Sequence, residues 1–257
     1  MLCSVGAAFP VHATGMTAPW NRNRYRLPYP PFFGEDTFLN RSDVELIRII
    51  SLPFEENTYI ARIEGRNDCL VIDPGLEPDK IIEKLQSLGL TPAAILNTHG
   101  HSDHIAGNAA LKHLWPECRL VIGIGDAPKL TDPAQNLSAA FGLALRSPPA
   151  DVTVSGGDTY EAAGFTIEVL DVPGHTVGHV VYLWRAHQPF IALVGDVIFA
   201  GSIGRTDFPD GDFEQLISGI RGKLFTLPDD TLLLSGHGPS TTVGQEKRDN
   251  PFVGGNS

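Results

Sequence analysis

Residues 97–108 read NTHGHSDHIAGN, and His99, His101, Asp103 and His104 crowd into the six positions 99–104. The apolar run AAIL just before the cluster reads as a buried strand, and IAGNAALKHLW after Ser102 suits a helix. The cluster therefore stands at a strand end, where the chain turns into a helix. Along extended backbone, side chains at i and i+2 lie on one side, so His99 and His101 can grip one ion together. Gly100 between them lets the chain run close. Asp103 and His104 follow at the turn and can reach a second ion from another direction. An imidazole and carboxylate set without thiolates suits zinc, iron or manganese.

One cluster does not complete one ion, still less two, so further ligands are expected at other strand ends. VPGHTVGH places His175 after VLDV, VGDVIF places Asp196 after IALV, and LSGHGP places His237 after TLLL. Each follows an apolar run and is flanked by glycine. A lone histidine in such a turn is more often a cap or a satisfied polar group, and that reading is kept for His12, His113 and His187. His179, which opens HVVYLW, reads as a structural neighbour of the site. The full set is far more specific than a typical short motif.

The rest of the chain sets bounds on this centre. Its 257 residues fit one large domain, and 42% hydrophobic content supplies a sizeable core. A net charge of −11 repels phosphate backbones, which argues against nucleic acid as a partner. Cys3, Cys69 and Cys118 are widely spaced and form no C-x-x-C pair, so neither a disulfide framework nor a thiolate metal site is expected. Cys69, in CLVID, reads as a small buried hydrophobe, and reducing cytoplasm is the expected compartment. No apolar stretch is long enough to span a membrane.

The first fifteen residues, MLCSVGAAFPVHATG, contain an apolar run and a V-H-A that resembles an export cleavage site. No positive charge precedes the run, and Pro10 interrupts it. They read as a disordered leader, or as sequence upstream of a true start at Met16. Export would follow only if residues 1–13 act as a signal peptide. Residues 17–43, with PYPPFF at 28–33, read as an extended arm lying on the core or on a neighbouring subunit. The expected division is a leader and Pro-rich arm over 1–43, partly disordered, and one domain carrying the metal centre over 44–257.

Within 44–257, VELIRII, NTYIARI and CLVIDPG read as strands. A helix is expected over Pro78–Leu88, with Ile81, Ile82, Leu85 and Leu88 on one face and Gly89 stopping it. LVIGIG reads as a short strand, and residues 126–150 have no clear period. FTIEVLDVPGH, HVVYLW, FIALVGDVIF and TLLLSGHG read as strands, with a helix over Phe213–Leu224. Two mixed sheets with helices outside satisfy this order. AGSIG at 200–204 has Ala200 where a nucleophile elbow needs glycine, so Ser202 reads as a turn residue. GIGDAP at 123–128 lacks the third glycine of a dinucleotide loop. Arg205 and Asp207 in GRTDF read as a structural ion pair in preference to a grip on a substrate carboxylate.

T-H-x-H-x-D-H, G-H-T-x-G-H, G-D and a late G-H together resemble the metallo-β-lactamase superfamily. The resemblance implies an αββα sandwich of two mixed β-sheets with outer helices and a two-metal site at one edge. GDVIFAGSIGRTDFPDGD, LSGHGPSTTVGQE and NPF resemble the short bacterial glyoxalase II-type enzymes, the hydroxyacylglutathione hydrolases, over about Val44 to Phe252. By that resemblance His99, His101 and His175 hold one metal, and Asp103, His104 and His237 the other. Asp196 bridges them, and Asp103 and Asp196 are the carboxylates with a catalytic part. The implied cofactors are two divalent ions, zinc ahead of iron or manganese. The implied partner is a small-molecule thioester, S-lactoylglutathione or another 2-hydroxyacyl thioester, with the oligomeric state open.

A rival resemblance is to persulfide dioxygenases, which would use one iron on His99, His175 and Asp196. GHTVGH and SGHGP depart from that pattern. A lactonase of the same fold is a weaker alternative. Longer glyoxalase II enzymes grip glutathione with a helical domain after the last metal ligand. Here 20 residues follow position 237, including Pro239 and Pro251, too few for a bundle and not even one good helix. Carrier recognition is then expected to be weaker, or to come from residues 126–150 or from the arm.

Overall fold

The structure, a computed structural model, describes residues 37–40 and 44–255. His12, Cys3, the leader and most of the arm lie outside them. The layering follows from a two-residue alternation inside runs that look uniformly apolar. In the strand Val180–Trp184, Val180, Tyr182 and Trp184 join one core while Val181 and Leu183 join another. In Asp68–Ile72, Leu70 and Ile72 share the first of these cores, and Cys69 and Val71 enter a third. Strands covered on both faces lose the usual polar alternation, which is why they read as continuous apolar runs.

The first sheet runs in the order β1 (Thr37–Asn40), β2 (Val44–Ser51), β3 (Glu56–Ile63), β4 (Asp68–Ile72), β5 (Thr91–Asn97), β6 (Arg119–Gly123) and β7 (Val152–Val154). Pairing is antiparallel from β1 to β4 and parallel from β4 to β7. Strand β1 falls inside the segment read as an arm, so that end of the arm lies on the sheet edge.

The second sheet has six strands. Its members are β8 (Thr159–Ala162), β9 (Phe165–Asp171), β10 (Val180–Trp184) and β11 (Ile191–Gly195), followed by β14 (Leu232–Ser235) and β15 (Thr241–Thr242). Only β11 and β14 pair in parallel. A separate hairpin, β12 (Ile198–Phe199) with β13 (Ser202–Ile203), contains Ser202, which lies in a strand adjoining the turn expected there.

Helices close the outer faces. Ile81 and Leu85 of α1 (Pro78–Ser87) pack with Ile60, Val71 and Ile95 of the first sheet. Leu88, expected on the same face, sits past the helix end and is exposed. Pro78 begins the helix, and Gly89 ends it at φ +64°, a value that suits glycine. Leu216 and Ile220 of α4 (Phe213–Gly222) pack with Val181, Leu183 and Leu233 of the second sheet. Asp212 caps α4 by accepting the Gln215 N–H at 2.9 Å, a contact typically worth about 1 kcal/mol. The order is therefore helix, sheet, sheet, helix, as expected.

Two helical expectations change. The helix after the histidine cluster is two pieces, α2 (Ser102–Ile105) and α3 (Asn108–Leu114). Gly107 stands between them, donates its N–H to the Pro74 carbonyl at 2.8 Å, and has no room for a side chain beside Pro74. Residues 243–249 form α5, capped by Thr242 and lying between Pro239 and Pro251. The prolines bound this helix and do not prevent it. No helix among the described residues is long and apolar enough to cross a membrane.

Hydrogen bonds tie the two sheets together at one edge. Val180 N donates to Thr98 O at 2.9 Å, Tyr182 Oη to Asn97 O at 3.0 Å, and Tyr59 Oη to Ser235 O at 2.9 Å. Asn57 N donates to Gly236 O at 2.7 Å. These bonds join the chain segments on which the candidate ligands stand.

Candidate metal centre

His99 and His101 follow β5, and Asp103 and His104 sit on α2. His175 lies in the loop between β9 and β10, Asp196 just after β11, and His237 just after β14. All seven expected residues meet at one sandwich edge. Ligand atoms of His99, His101 and His175 lie within 4.8 Å of one another, and so do those of Asp103, His104 and His237. Asp196 reaches both sets. Its Oδ2 is 3.7 Å from His175 Nε2 and 3.5 Å from His237 Nε2, and its Oδ1 is 3.5 Å from His104 Nε2.

The glycines beside the ligands have a steric cause. A Cβ on Gly236 would stand 2.4 Å from Asp196 Oδ1 and 2.6 Å from His104 Cε1. One on Gly204 would stand 1.8 Å from the Asp196 carbonyl oxygen.

Most of the rings are oriented through Nδ1. His104 Nδ1 donates to Asp73 Oδ2 at 3.1 Å, His175 Nδ1 to Arg205 O at 2.8 Å, and His237 Nδ1 to Phe54 O at 3.0 Å. His99 Nδ1 lies 3.1 Å from Thr98 Oγ1, which itself donates to Asp73 Oδ2 at 2.7 Å. Such contacts fix the tautomer and leave Nε2 for a metal. His99 Nε2, His104 Nε2 and Asp196 Oδ1 are buried and have no hydrogen-bond partner among the described residues. Buried polar atoms are seldom left so, and three of them facing one small space fit a divalent cation.

The charges fit as well. Burial, helped by the surrounding imidazoles, holds His99 and His101 well below the ordinary histidine range, so both offer neutral lone pairs. Burial also lowers His104, but Asp196, Asp103 and Asp73 outweigh it and the net shift is upward. Burial would raise Asp103, yet His104, His237 and His101 hold it far below the usual carboxylate range. His99 and His101 are thus neutral imidazoles, and the second set mixes imidazole with an ionised carboxylate.

His179 belongs to neither set. Its ring stacks on His99 at 4.8 Å, and its Nε2 accepts the Asp196 N–H at 3.2 Å, which agrees with a structural part. His113 lies on α3, and the ring of His187 packs edge-on against Trp184. Arg205 forms a two-point ion pair with Asp207 at 2.7 and 2.8 Å, and its guanidinium lies 4.1 Å from the Phe208 ring centre. Cys69 and Cys118 are buried free thiols, each pushed up to about 12 by burial, and neither stands in a candidate ligand cluster.

Three buried carboxyls beside the site escaped the sequence reading. Asp73 accepts from Thr98 N at 2.7 Å, from Thr98 Oγ1 and from His104 Nδ1. Asp126 accepts from the loops on both sides of the first set. Glu56 is fully buried, and burial pushes its carboxyl well above the usual range. Asp73 had a signal in the sequence, since DPG ends a buried strand just as the ligand turns do. Glu56 had none.

The histidine and aspartate clusters at this sandwich edge could hold metal and fit a metal-dependent class. The chain belongs to the metallo-beta-lactamase superfamily, whose model matches residues 52–237. It is 38% identical over 223 residues to the hydroxyacylglutathione hydrolase GloC of Haemophilus influenzae, covering 84% of this chain and 100% of that one. Among solved structures it resembles the BLEG-1 B3 metallo-beta-lactamase, with a TM-score of 0.77, 34% identity and coverage of 82% and 100%. It also resembles TTHA1623 in a di-iron-bound form, with a TM-score of 0.67, 34% identity and coverage of 80% and 98%.

Proposed function

We propose that this chain is a binuclear metallohydrolase of glyoxalase II type. It would cleave S-2-hydroxyacylglutathione, S-lactoylglutathione foremost, to the hydroxy acid and glutathione. The observation that carries the reading is the pair of ligand sets sharing Asp196. The likeness to the Haemophilus hydroxyacylglutathione hydrolase supports the substrate class. Zinc is the proposed metal at both positions, with iron or manganese as alternatives, and the di-iron form of TTHA1623 is a precedent for two ions in a relative.

A metal centre of this kind lowers the pKa of a bound water from about 15.7 toward about 7 and polarises a carbonyl. The residues of this chain do the rest. His99, His101 and His175 would hold one ion, and Asp103, His104 and His237 the other. The carboxylate of Asp196, with an oxygen toward each set, would offset the repulsion between two cations. Asp103, kept ionised by its imidazole neighbours, would offer an anionic oxygen to the second ion. Water attacks the thioester carbon, the carbon–sulfur bond breaks, and the thiolate departs. No protein nucleophile is required, and neither buried thiol stands in a candidate ligand cluster.

Phe141 of segment 126–150 packs beside Phe54, the neighbour of His237. Phe54, whose carbonyl orients His237, packs its ring 5.5 Å from that of Phe141, and both rings are partly exposed. The remainder of the thioester would meet this aromatic pair.

The test is thiol release from S-D-lactoylglutathione by the metal-loaded chain, run beside oxygen uptake with glutathione persulfide. Thiol release without oxygen uptake supports the hydrolase. Oxygen uptake with a single bound iron would replace it with the dioxygenase reading.

A further inference from the structure

The turn GIGDAP at 123–128 is no dinucleotide loop, yet its aspartate is wholly buried against the first ligand set. We propose that Asp126 is a positioning residue, a carboxylate brace that clamps the His99–His101 loop to the His175–His179 loop and sets the geometry of the three-imidazole site. The inference rests on reading this edge as a metal centre.

Asp126 Oδ2 accepts the Gly100 N–H at 2.8 Å and the Thr176 hydroxyl at 2.7 Å, while Oδ1 accepts the Gly178 N–H at 2.9 Å. Gly100 lies between His99 and His101, Thr176 follows His175, and Gly178 precedes His179. One of these loops leaves the first sheet and the other connects two strands of the second. The carboxylate therefore bonds across the two layers at the point where their ligands must converge. Three donors on a buried carboxylate make strong, directional contacts.

The packing is as tight as the bonding. A Cβ on Gly178 would stand 2.1 Å from Asp126 N and 2.8 Å from Oδ1. One on Gly100 would stand 2.6 Å from Lys129 Cβ and 3.2 Å from the Asp126 carbonyl oxygen. Both ligand loops thus press bare backbone against the turn, and two glycines of the sequence motifs are accounted for by the brace. Lys129, one turn further on and itself buried, pairs with Asp210 at 2.5 Å. Asp210 lies two positions from Phe208, whose ring packs 5.3 Å from that of His101. The turn so reaches a third loop around the same set. His104 and His237 are oriented instead by Asp73 and Phe54, and Asp126 makes no described hydrogen bond to either.

Asp126→Asn separates this role from general stability. An amide has one acceptor oxygen and a donor NH2, so it cannot accept all three bonds and sets donor against donor at one oxygen position. Thr176→Val removes a single donor and leaves the backbone contacts. The full chain is stripped of metal and titrated with Co2+ under a competing chelator, following the visible absorption of each bound equivalent and the thermal midpoint of the metal-free protein. Outer contacts of metal ligands typically govern ten- to hundredfold in affinity. Asp126→Asn should therefore weaken one equivalent by about that factor and change its spectrum, leaving the other equivalent in place. Thr176→Val should weaken the same equivalent by less.

Unchanged affinities and spectra in Asp126→Asn would overturn the brace. So would parallel loss of both equivalents with a lowered midpoint, which is the signature of a merely structural residue. If Asp126→Asn does not fold, an unchanged titration of Thr176→Val overturns it. An unaltered chain that binds no Co2+ would overturn the metal centre itself, and the brace with it.

Discussion

The two candidate ligand sets both adjoin Asp196 but sit in different surroundings. His99 is fully buried and the side chain of His175 is 3% exposed, whereas the side chains of Asp103 and His237 are 19% and 26% exposed. The first set is all imidazole, with His99 and His101 held neutral by burial, and it is braced from behind. The second is partly charged and nearer to solvent at Asp103 and His237, while its His104 is buried and held by Asp73. The contrast points to a division of labour, with a preorganised inner position and a more open outer one. An open position suits substrate entry, because a metal there keeps room for exchangeable ligands.

Removing what the two sets share should have the largest effect. Asp196→Asn keeps the shape but removes the charge that offsets two cations. The expected outcome is loss of both metal equivalents and a fall in kcat/KM on the order of a thousandfold or more, or at least about 4 kcal/mol in the barrier. Elemental analysis with thiol-release kinetics checks it, and near-normal turnover with two metals bound would remove the basis for treating the sets as one centre.

Next comes a contrast within the GHTVGH turn. His175→Ala should abolish turnover and release the inner metal. His179→Ala removes the acceptor of the Asp196 N–H and a ring stacked on His99, so it should cost stability, about 1–3 kcal/mol for a buried hydrogen bond and its packing, with the metals retained. Equal metal loss in the two variants would erase the distinction between ligand and support.

Selective stripping sharpens the comparison further. Dialysis against a graded chelator should remove the outer equivalent first, because its ligands are more exposed and less constrained. His237→Ala should mimic the stripped state and hold one equivalent. Release of both metals at a single chelator concentration would show that burial and bracing do not separate the positions.

The smallest effect is expected at the rim. Phe141→Ala removes half of the aromatic pair without touching a ligand, and should raise KM several-fold with little change in kcat, a difference of about 1 kcal/mol. A comparable loss in kcat would mean that Phe141 acts on the metal centre and not on the bound thioester.

Much of this centre could be read from the chain because its ligands stand at the ends of apolar strands, and apolar runs are local. The same locality gave α1 and α4, whose buried residues recur at helical spacing. What escaped depends on partners far along the chain. Asp126 is 26 positions from Gly100 and 52 from Gly178, and nothing near it announces either contact. The break between α2 and α3 comes from Pro74 pressing on Gly107, again a long-range cause. Strands β7, β8 and β15 are at most four residues long and lie at sheet edges, too short to show a period. Helix α5 was hidden by its flanking prolines, although its cap, Thr242 accepting from Gln245 N at 3.3 Å, is a local signal.

The central claim is that two metals, held by two unlike sets around Asp196, act together in thioester hydrolysis. The direct measurement is the rate of S-D-lactoylglutathione hydrolysis by the metal-free chain as Zn2+ is added in steps, with bound metal counted at each step. The account predicts that most of the activity arrives with the second equivalent and that it saturates at two metals per chain. Full activity at one equivalent, or no hydrolysis at two, would contradict it.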